Sequence, residues 1–209
     1  MSKKKNTLHR LKGTKIYQIG PIDNVKDGGV EWREYMSGFL WSLGCGVLNP
    51  CDKPTTYADE SEETRKTIQQ LKQDGINYQS WEENEHYPST IKAIDQKIVD
   101  IMKPIVNIDL RMVDSADFMV MYIDTDTHMC GSYGEQAMAC LQRKPVIIYC
   151  KQGKYSVPNW LWGICKPEMF FSSWEEVKEY LIHINQDNNI DRLGRWHFFD
   201  QEKIYGNAN

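Results

Sequence analysis

The chain reads KIYQIG at residues 15–20, VEWREYMSGFLWSL at 30–43 and GVLNP at 46–50. The first and last of these segments are short apolar runs that end at a proline, which is typical of buried strands. The segment between them carries apolar residues at helical spacing, namely Trp32, Tyr35, Met36, Phe39, Leu40 and Leu43. A strand, a helix and a strand of these lengths predict a βαβ unit, and therefore a parallel sheet.

The same alternation returns after residue 88. We expect a helix over 89–102, a short polar turn, a buried strand at 118–123, a helix over 134–144, a strand at 145–150 and a helix within 172–184. The last helix has the capping-box pattern Ser173 to Glu176. This order predicts an α/β fold with a doubly wound, mainly parallel sheet of Rossmann-like or flavodoxin-like type, flanked by helices.

Residues 51–88 differ in composition from the rest of the chain. They are polar and acidic, with one solvated helix predicted at about 60–73. We therefore expect a single domain over residues 1–209, in which 51–88 are an insertion.

The composition excludes several classes of function. A formal net charge of −4 gives no electrostatic footprint for a nucleic-acid polymer. No apolar run approaches the length of a membrane span, and the basic SKKK near the N-terminus has no apolar region behind it. The six cysteines are scattered and predict reduced thiols in a cytoplasmic protein, and the spacing of the five histidines predicts no metal site.

Ligands of doubly wound sheets bind beyond the carboxyl ends of the strands. The small and polar residues that follow the predicted strands are Gly20, Pro21, Asp23, Asn49, Asp124, Ser132, Glu135, Asn159 and Trp160. We predict that they form one rim, which is the binding site. Neither G-x-G-x-x-G nor a Walker A pattern occurs, so an ordinary dinucleotide dehydrogenase and a P-loop NTPase are not expected.

Glu135 lies in HMCGSYGEQAMA (128–139) and has two interpretations. Ser132 and Glu135 have capping-box spacing, and on spacing alone a helix cap is favoured. The other interpretation is a carboxylate at a helix N-terminus, held ionised by the helix dipole and able to attack an electrophilic sugar carbon. For Asp109, upstream of the third strand, spacing alone likewise favours a helix cap or a turn residue.

Five segments taken together resemble the nucleoside 2-deoxyribosyltransferases and the related nucleoside 5′-monophosphate N-glycosidases. They are KIYQIGPID (15–23), GVLNP (46–50), IDLRMVDSADFMVMYIDTD (108–126), GSYGEQAMA (131–139) and KPVIIYC (144–150). The resemblance covers most of residues 15–165 and fails in 51–88. It implies that Glu135 is the nucleophile and that Asp109 protonates the departing base.

The resemblance also implies roles for binding residues. Tyr17 and the Gly20–Pro21 turn correspond to the segment that lines the base and sugar pocket, and Tyr17 and Trp160 would wall the base. Asn159 resembles an asparagine that a neighbouring subunit supplies to the sugar 5′-hydroxyl, which implies a homo-oligomer. The aromatic tail RWHFFDQEKIYG (195–206) is similar to a segment that helps to close the site.

One position departs from the family. Six residues before the nucleophile the transferases have an aspartate, and the monophosphate hydrolases a serine, which holds the 5′ group. This chain has Met129 there. Ser132, His128 and Asp126 are candidate replacements.

The expected activity is cleavage of the N-glycosidic bond of a nucleoside through a glycosyl-enzyme intermediate, with transfer of the sugar to a second base. No cofactor enters this chemistry, and the expected partner is a small-molecule nucleoside or nucleotide. Hydrolysis of a nucleoside 5′-monophosphate is the alternative within the family. A non-catalytic nucleotide sensor or sequestering protein is the alternative of a different class.

Overall fold

The computed structural model of the protein describes residues 9–53, 58–77, 89–186 and Trp196. The chain forms two compact units. The first consists of Met1–Asn49 together with Met112–Asn209, and the second is Pro50–Arg111. A single domain with an insertion at 51–88 stays a prediction.

The first unit is built on one five-stranded sheet. Its strands are β1 (Lys15–Ile19), β2 (Gly46–Leu48), β3 (Phe118–Ile123), β4 (Val146–Cys150) and β5 (Phe170–Phe171). They lie in the order β2-β1-β3-β4-β5, and each neighbouring pair is parallel. This is the flavodoxin-like order of a doubly wound sheet, so the predicted fold class is confirmed. The two-residue strand β5 was not predicted.

Among the described residues of this unit, the helices are α1 (Val30–Ser42), α4 (Cys130–Leu141), α5 (Asn159–Ile164) and α6 (Trp174–Gln186). Short 3₁₀ turns occur at Lys154–Ser156 and Pro167–Met169. At the start of α1 the residue before the helix is Gly29, with φ of 71°, and the Asp27 carboxylate accepts the N–H groups of Gly29 and Glu31. A carboxylate in this place satisfies helix N–H groups that would otherwise have no partner.

Alternate residues of the strands belong to two different cores, because successive side chains of a strand point to opposite faces of the sheet. One core contains Tyr17, Met119 and Met121 together with Ala139 of α4 and Leu161 of α5. The other core lies between the opposite face of the sheet and the helices α1 and α6. Its members include Ile16, Phe118, Val120, Met36 and Leu40 of α1, and Val177 and Leu181 of α6. Helices therefore cover both faces, which explains why the central strands read as continuous apolar runs.

The second unit contains α2 (Glu62–Asn77) and most of α3 (Ser89–Ser115). The helix predicted at about 60–73 corresponds to α2. Among the described residues of this unit, the buried apolar side chains are Ala58, Ile68, Ile94 and Ile105.

The polar turn expected before β3 is wrong, because α3 runs on through Pro104 to Ser115. Proline removes one backbone hydrogen bond, yet the apolar period resumes beyond it, and Val113 is buried in the first core. The Lys144 ammonium then donates to the carbonyl oxygens of Val113 and Asp114 at 2.6 Å each. A cation on the last carbonyls stabilises a helix C-terminus. Asp109 is therefore an interior helical residue, and its interpretation as a cap or a turn residue is wrong.

The capping box proposed for α4 is also wrong. The helix begins at Cys130, four residues earlier than predicted, and the residue before it, Met129, makes no side-chain cap hydrogen bond. Ser132 is the third helical residue and is buried. The cap of α6, by contrast, is confirmed: Ser173 Oγ accepts the N–H of Glu176 at 3.2 Å, while the Glu176 carboxylate accepts the N–H of Ser172.

All six cysteines are thiols, and their burial is uneven: Cys130 is exposed, and Cys51 and Cys140 are half-buried. Of the aromatic tail, only Trp196 is among the described residues. It is fully buried against Phe118, and its indole N–H donates to the Tyr180 hydroxyl. Across residues 9–53, 58–77 and 89–186, no helix is long and apolar enough to cross a membrane. No cluster of three or more histidine, cysteine and acidic side chains suited to a metal ion is found within those residues.

Candidate active site

The neighbouring strands β1 and β3 define the point at which the sheet changes direction. β1 leads into α1, which packs on one face, and β3 leads into α4, which packs on the other. The two connections diverge at the carboxyl ends of these strands and leave a crevice between them, where ligands of such sheets bind.

Tyr17 and Glu135 meet on the α4 face of the sheet. The Tyr17 hydroxyl donates to Glu135 Oε1 at 2.7 Å, joining the middle of β1 to the second turn of α4 across 118 residues of sequence. The tyrosine ring is fully buried in the first core, whereas Glu135 is only half-buried. The arrangement fixes one carboxylate oxygen from inside the protein and leaves the side chain partly open to solvent.

Glu135 is not held by the start of its helix. It is the sixth residue of α4, and the first turn contains no acidic residue. Because the influence of the helix dipole falls off within the first turn, the dipole is not the main support of this carboxylate. Instead, the hydrogen bond from the Tyr17 hydroxyl holds the carboxylate. The prediction of a carboxylate held by the helix N-terminus is therefore wrong.

The residue that follows the glutamate fixes the helix on its inner side. Gln136 is buried, and its amide nitrogen lies 3.0 Å from Cys140 Sγ and 3.1 Å from Cys165 Sγ. The two sulfurs are 3.6 Å apart. These contacts tie α4 to the end of α5 and fix the rotation of α4 about its axis, on which the direction of Glu135 depends.

In the second unit, Asp109 lies beside a buried lysine. The Lys53 ammonium is 2.8 Å from Asp109 Oδ1 and also pairs with Glu60, and the lysine side chain is only 1 % exposed. Burial acts to lower the pKa of Lys53, but the charges and hydrogen bonds of Glu60 and Asp109 outweigh it and raise that pKa above its usual value. Lys53 is therefore a buried cation between two carboxylates.

Asp124, at the carboxyl end of β3, is already engaged. Its carboxylate accepts hydrogen bonds from the Lys151 ammonium at 2.7 Å, from the Gln152 amide at 2.6 Å and from the N–H of Asp126. Burial favours a raised pKa for Asp124, but the hydrogen bonds from Lys151 and Gln152 prevail, and the pKa is lowered. Asp124 with Pro21 lines a cleft on the α1 side of the sheet and not the Tyr17–Glu135 contact.

The other predicted residues are placed as follows. Gly20 packs against the Trp32 ring so closely that an added Cβ would lie 2.7 Å from Trp32 Cζ2, and its carbonyl accepts a hydrogen bond from Arg33. Asp23 is exposed in the loop after β1, and Asn49 is half-buried after β2. Asn159 and Trp160 begin α5 and are exposed, Trp160 to 76 %. The single rim predicted from sequence is thus divided into separate groups.

Position 129, where the family has the residue that holds the 5′ group, is apolar and buried. Met129 is 5 % exposed and belongs to the first core. Of the candidate replacements, Ser132 is buried, while His128 and Asp126 are exposed. Asp126 accepts a hydrogen bond from Gln152, and the His128 carbonyl accepts one from Asn24.

Sequence reasoning missed Lys53 and Lys151. Each is a single lysine outside any motif, and its importance depends on which carboxylate folds against it. The signal that a sequence offers for Lys151 is its place directly after β4, at the same edge as Asp124.

No protein-family model matches the sequence, and no curated protein sequence matches it significantly. Among solved structures, the chain is similar to a 2-deoxyribosyltransferase from the psychrotolerant bacterium Bacillus psychrosaccharolyticus. The two are 16 % identical with a TM-score of 0.44, and the alignment covers 79 % of this chain and 91 % of that one.

Proposed function

We propose that the protein cleaves the N-glycosidic bond of a nucleoside, with Glu135 as nucleophile, and transfers the sugar to a second base. The observation that carries the proposal is the hydrogen bond from the buried Tyr17 hydroxyl to Glu135 Oε1 at 2.7 Å. It joins β1, one of the two strands at which the sheet changes direction, to α4, and ligands of this sheet type bind beyond the carboxyl ends of such strands. The sequence resemblance to the 2-deoxyribosyltransferases agrees with it.

A glycosyl transfer needs an oriented carboxylate. With Oε1 fixed by Tyr17, the second oxygen of Glu135 forms the bond to C1′ as the bond from C1′ to the base nitrogen breaks. The bonding electrons leave with the base nitrogen, which takes up a proton from water. In the second half of the reaction, a nitrogen of the incoming base attacks C1′ as the bond from C1′ to Glu135 breaks. This nitrogen gives up its proton to water, and the configuration of the sugar is retained.

Asp109 is the second carboxylate of the proposal, although its partner changes the role that sequence suggests. An aspartate beside a buried ammonium is favoured in its ionised form. We therefore assign to Asp109 the binding of an N–H group of the base, and not the donation of a proton.

The exposed positions of Asn159 and Trp160 fit a second subunit. Trp160 is 76 % exposed, and tryptophan is enriched in protein–protein interfaces relative to the rest of the surface. We propose that Asn159 and Trp160 complete the site of a neighbouring copy of the chain, where Asn159 binds the sugar 5′-hydroxyl.

The test is a chromatographic assay for free base. The protein is incubated with a panel of nucleosides and nucleoside 5′-monophosphates, with and without a second base. Transfer predicts a new nucleoside that forms only when the acceptor base is present. Base and free sugar without an acceptor would show hydrolysis instead.

Two variants assign the chemistry. Glu135→Gln keeps the shape of the side chain and removes the nucleophile, so we expect turnover to fall at least about a thousandfold while the melting temperature is preserved. Tyr17→Phe removes only the hydroxyl, and we expect a fall of about tenfold in kcat. Near wild-type activity in Glu135→Gln would overturn the assignment. Tight binding of a nucleotide without release of base would point to the sensor.

A further inference from the structure

A second concave site lies at the same edge of the sheet, on the face opposite to the Tyr17–Glu135 contact. It is an open cleft of about 520 Å³, formed by the loop between β1 and α1, the ends of β3 and β4, and the first residue of α6. Tyr122 and Tyr149 line it, whereas the adjacent residues Ile123 and Ile148 belong to the first core. Its volume is in the range of small-molecule sites, about 300–1,000 Å³.

Aromatic rings form one wall of this cleft. Trp32 and Trp174 are stacked, with ring centres 5.5 Å apart and planes 14° apart. Tyr149 lies 4.5 Å from Trp174, and Tyr122 lies 5.5 Å from Trp32. All four rings are half-buried, so part of each is open to solvent.

The rings in and around the cleft already attract cations of the protein itself. The Arg33 guanidinium carbon lies 4.5 Å from the centre of the Trp32 ring, and the Lys178 ammonium lies 3.9 Å from the centre of the Tyr35 ring. Such contacts arise because the face of an aromatic ring is electron-rich.

The charged side chains that line the cleft also favour a positively charged ligand. Asp27, Glu31 and Asp124 are opposed by Lys151, which leaves a formal charge of −2. Lys151 and Asp124 are 2.7 Å apart and neutralise each other. The excess charge therefore belongs to Asp27 and Glu31 at the start of α1. Arg33 against Trp32 and Lys178 against Tyr35 offset part of this charge. The exposed carboxylate of Glu31 at the rim is the group that can pair with a bound cation.

We propose that this cleft binds a small organic cation of the alkylated ammonium type. The positive charge lies against the aromatic wall formed by Trp32, Tyr122, Tyr149 and Trp174, and Glu31 at the rim supplies the counter-charge. Alkyl groups on the nitrogen spread the charge and match the apolar rings, which is how aromatic cages recognise quaternary ammonium. The site shares no residue with the Tyr17–Glu135 pair and is independent of the proposed function.

The test is a calorimetric titration of the full chain with choline, alongside its uncharged carbon isostere 3,3-dimethyl-1-butanol. Both probes have the same shape, so a difference in affinity reports the charge. We expect choline to bind about tenfold more tightly than the isostere. Equal affinities, or no binding of choline, would overturn the proposal.

Variants locate the site. Trp174→Leu removes the ring at the start of α6 and is expected to weaken choline binding about tenfold. Glu31→Gln removes one charge on the exposed side of α1 and is expected to weaken it about threefold. Glu34→Gln on the same helix lies outside the cleft and is the matched control, with unchanged affinity expected.

Glu135→Gln separates this proposal from the previous one, because it removes the nucleophile and leaves the cleft intact. Choline binding is expected to be the same in Glu135→Gln as in the wild type. Should Trp174→Leu fail to fold, the comparison of Glu31→Gln with Glu34→Gln shows whether choline binds in this cleft. Equal effects of those two variants would contradict binding in this cleft.

Discussion

The two carboxylates of the proposed reaction have different partners, and the partners separate their roles. Glu135 accepts a hydrogen bond from the neutral Tyr17 hydroxyl, which orients one carboxylate oxygen and adds no charge. Asp109 lies beside the Lys53 ammonium, which favours its ionised form. Different environments give two carboxyl groups different protonation behaviour, which suits them to different tasks.

Lys53 provides the test of this difference. In Lys53→Met the carboxylate of Asp109 loses its cationic partner and takes up a proton more readily. If the reaction needs ionised Asp109, the acid limb of the pH profile of kcat/KM moves to higher pH. If Asp109 were the proton donor, the basic limb would move to higher pH instead, and our assignment would fail.

The control for that experiment lies on α2. Lys66 pairs with Glu62 at 2.6 Å, and both side chains are 71 % exposed. Lys66→Met removes a lysine–carboxylate pair of the same type from the surface of the same unit, and we expect its pH profile to match the wild type. The melting temperature of each variant, measured at every pH, separates a kinetic effect from unfolding.

At this scale the sequence allowed Glu135, Tyr17 and Asp109 to be named but not their partners. The Tyr17–Glu135 hydrogen bond spans 118 residues, and no local pattern contains both groups. Lys53 lies in a polar stretch where lysines are normally solvated, so its burial follows only from the folded second unit.

At the scale of elements, local signals succeeded where hydrogen bonds are local. The capping box of α6 is such a case, since Ser173 and Glu176 satisfy the N–H groups of Glu176 and Ser172, which are four residues apart. The same spacing misled at Ser132, because α4 begins earlier and buries that serine against the sheet. The continuation of α3 past Pro104 was missed because a proline is a strong stop signal, and the lysine that holds the far end of the helix comes 40 residues later.

The cap of α6 makes a quantitative prediction. Ser173→Ala leaves the Glu176 N–H without its partner, and we expect the free energy of unfolding to fall by about 1 kcal/mol. Ser173→Asn keeps an acceptor at this position and is expected to unfold within about 0.5 kcal/mol of the wild type. Urea denaturation of the three proteins measures both values. Equal losses in the two variants would show that the hydroxyl is not acting as a cap.

At the scale of the molecule, the parallel sheet flanked by helices followed from the first βαβ unit and the alternation after it. The strand order β2-β1-β3-β4-β5 was not predicted. What sequence did not provide is the division into two compact units, because the boundary near Arg111 falls inside the continuous helix α3. The end of a helix is visible in a sequence, whereas a change of packing partners along one helix is not.

A neighbouring copy is part of the proposed site, and mixing two inactive variants tests it. Asn159→Ala and Glu135→Gln would each be inactive alone. In a mixed dimer, one of the two sites receives both wild-type residues. After exchange of subunits we expect about a quarter of wild-type activity to return, since half of the dimers are mixed and each has one intact site. No recovery in a mixture shown to contain mixed dimers would place Asn159 and Glu135 in the same subunit's site.

The burial of Trp196 has a consequence for the order in which the protein is made. The core around Tyr17, Met119 and Met121 uses residues between Tyr17 and Phe170, whereas the core on the other face extends from Leu11 to Trp196. Residues near the beginning of the chain therefore wait for Trp196 to be synthesised before their face can close. We expect folding during translation to complete the α4 side of the sheet first, while the apolar residues of the α1 and α6 side stay exposed on the nascent chain.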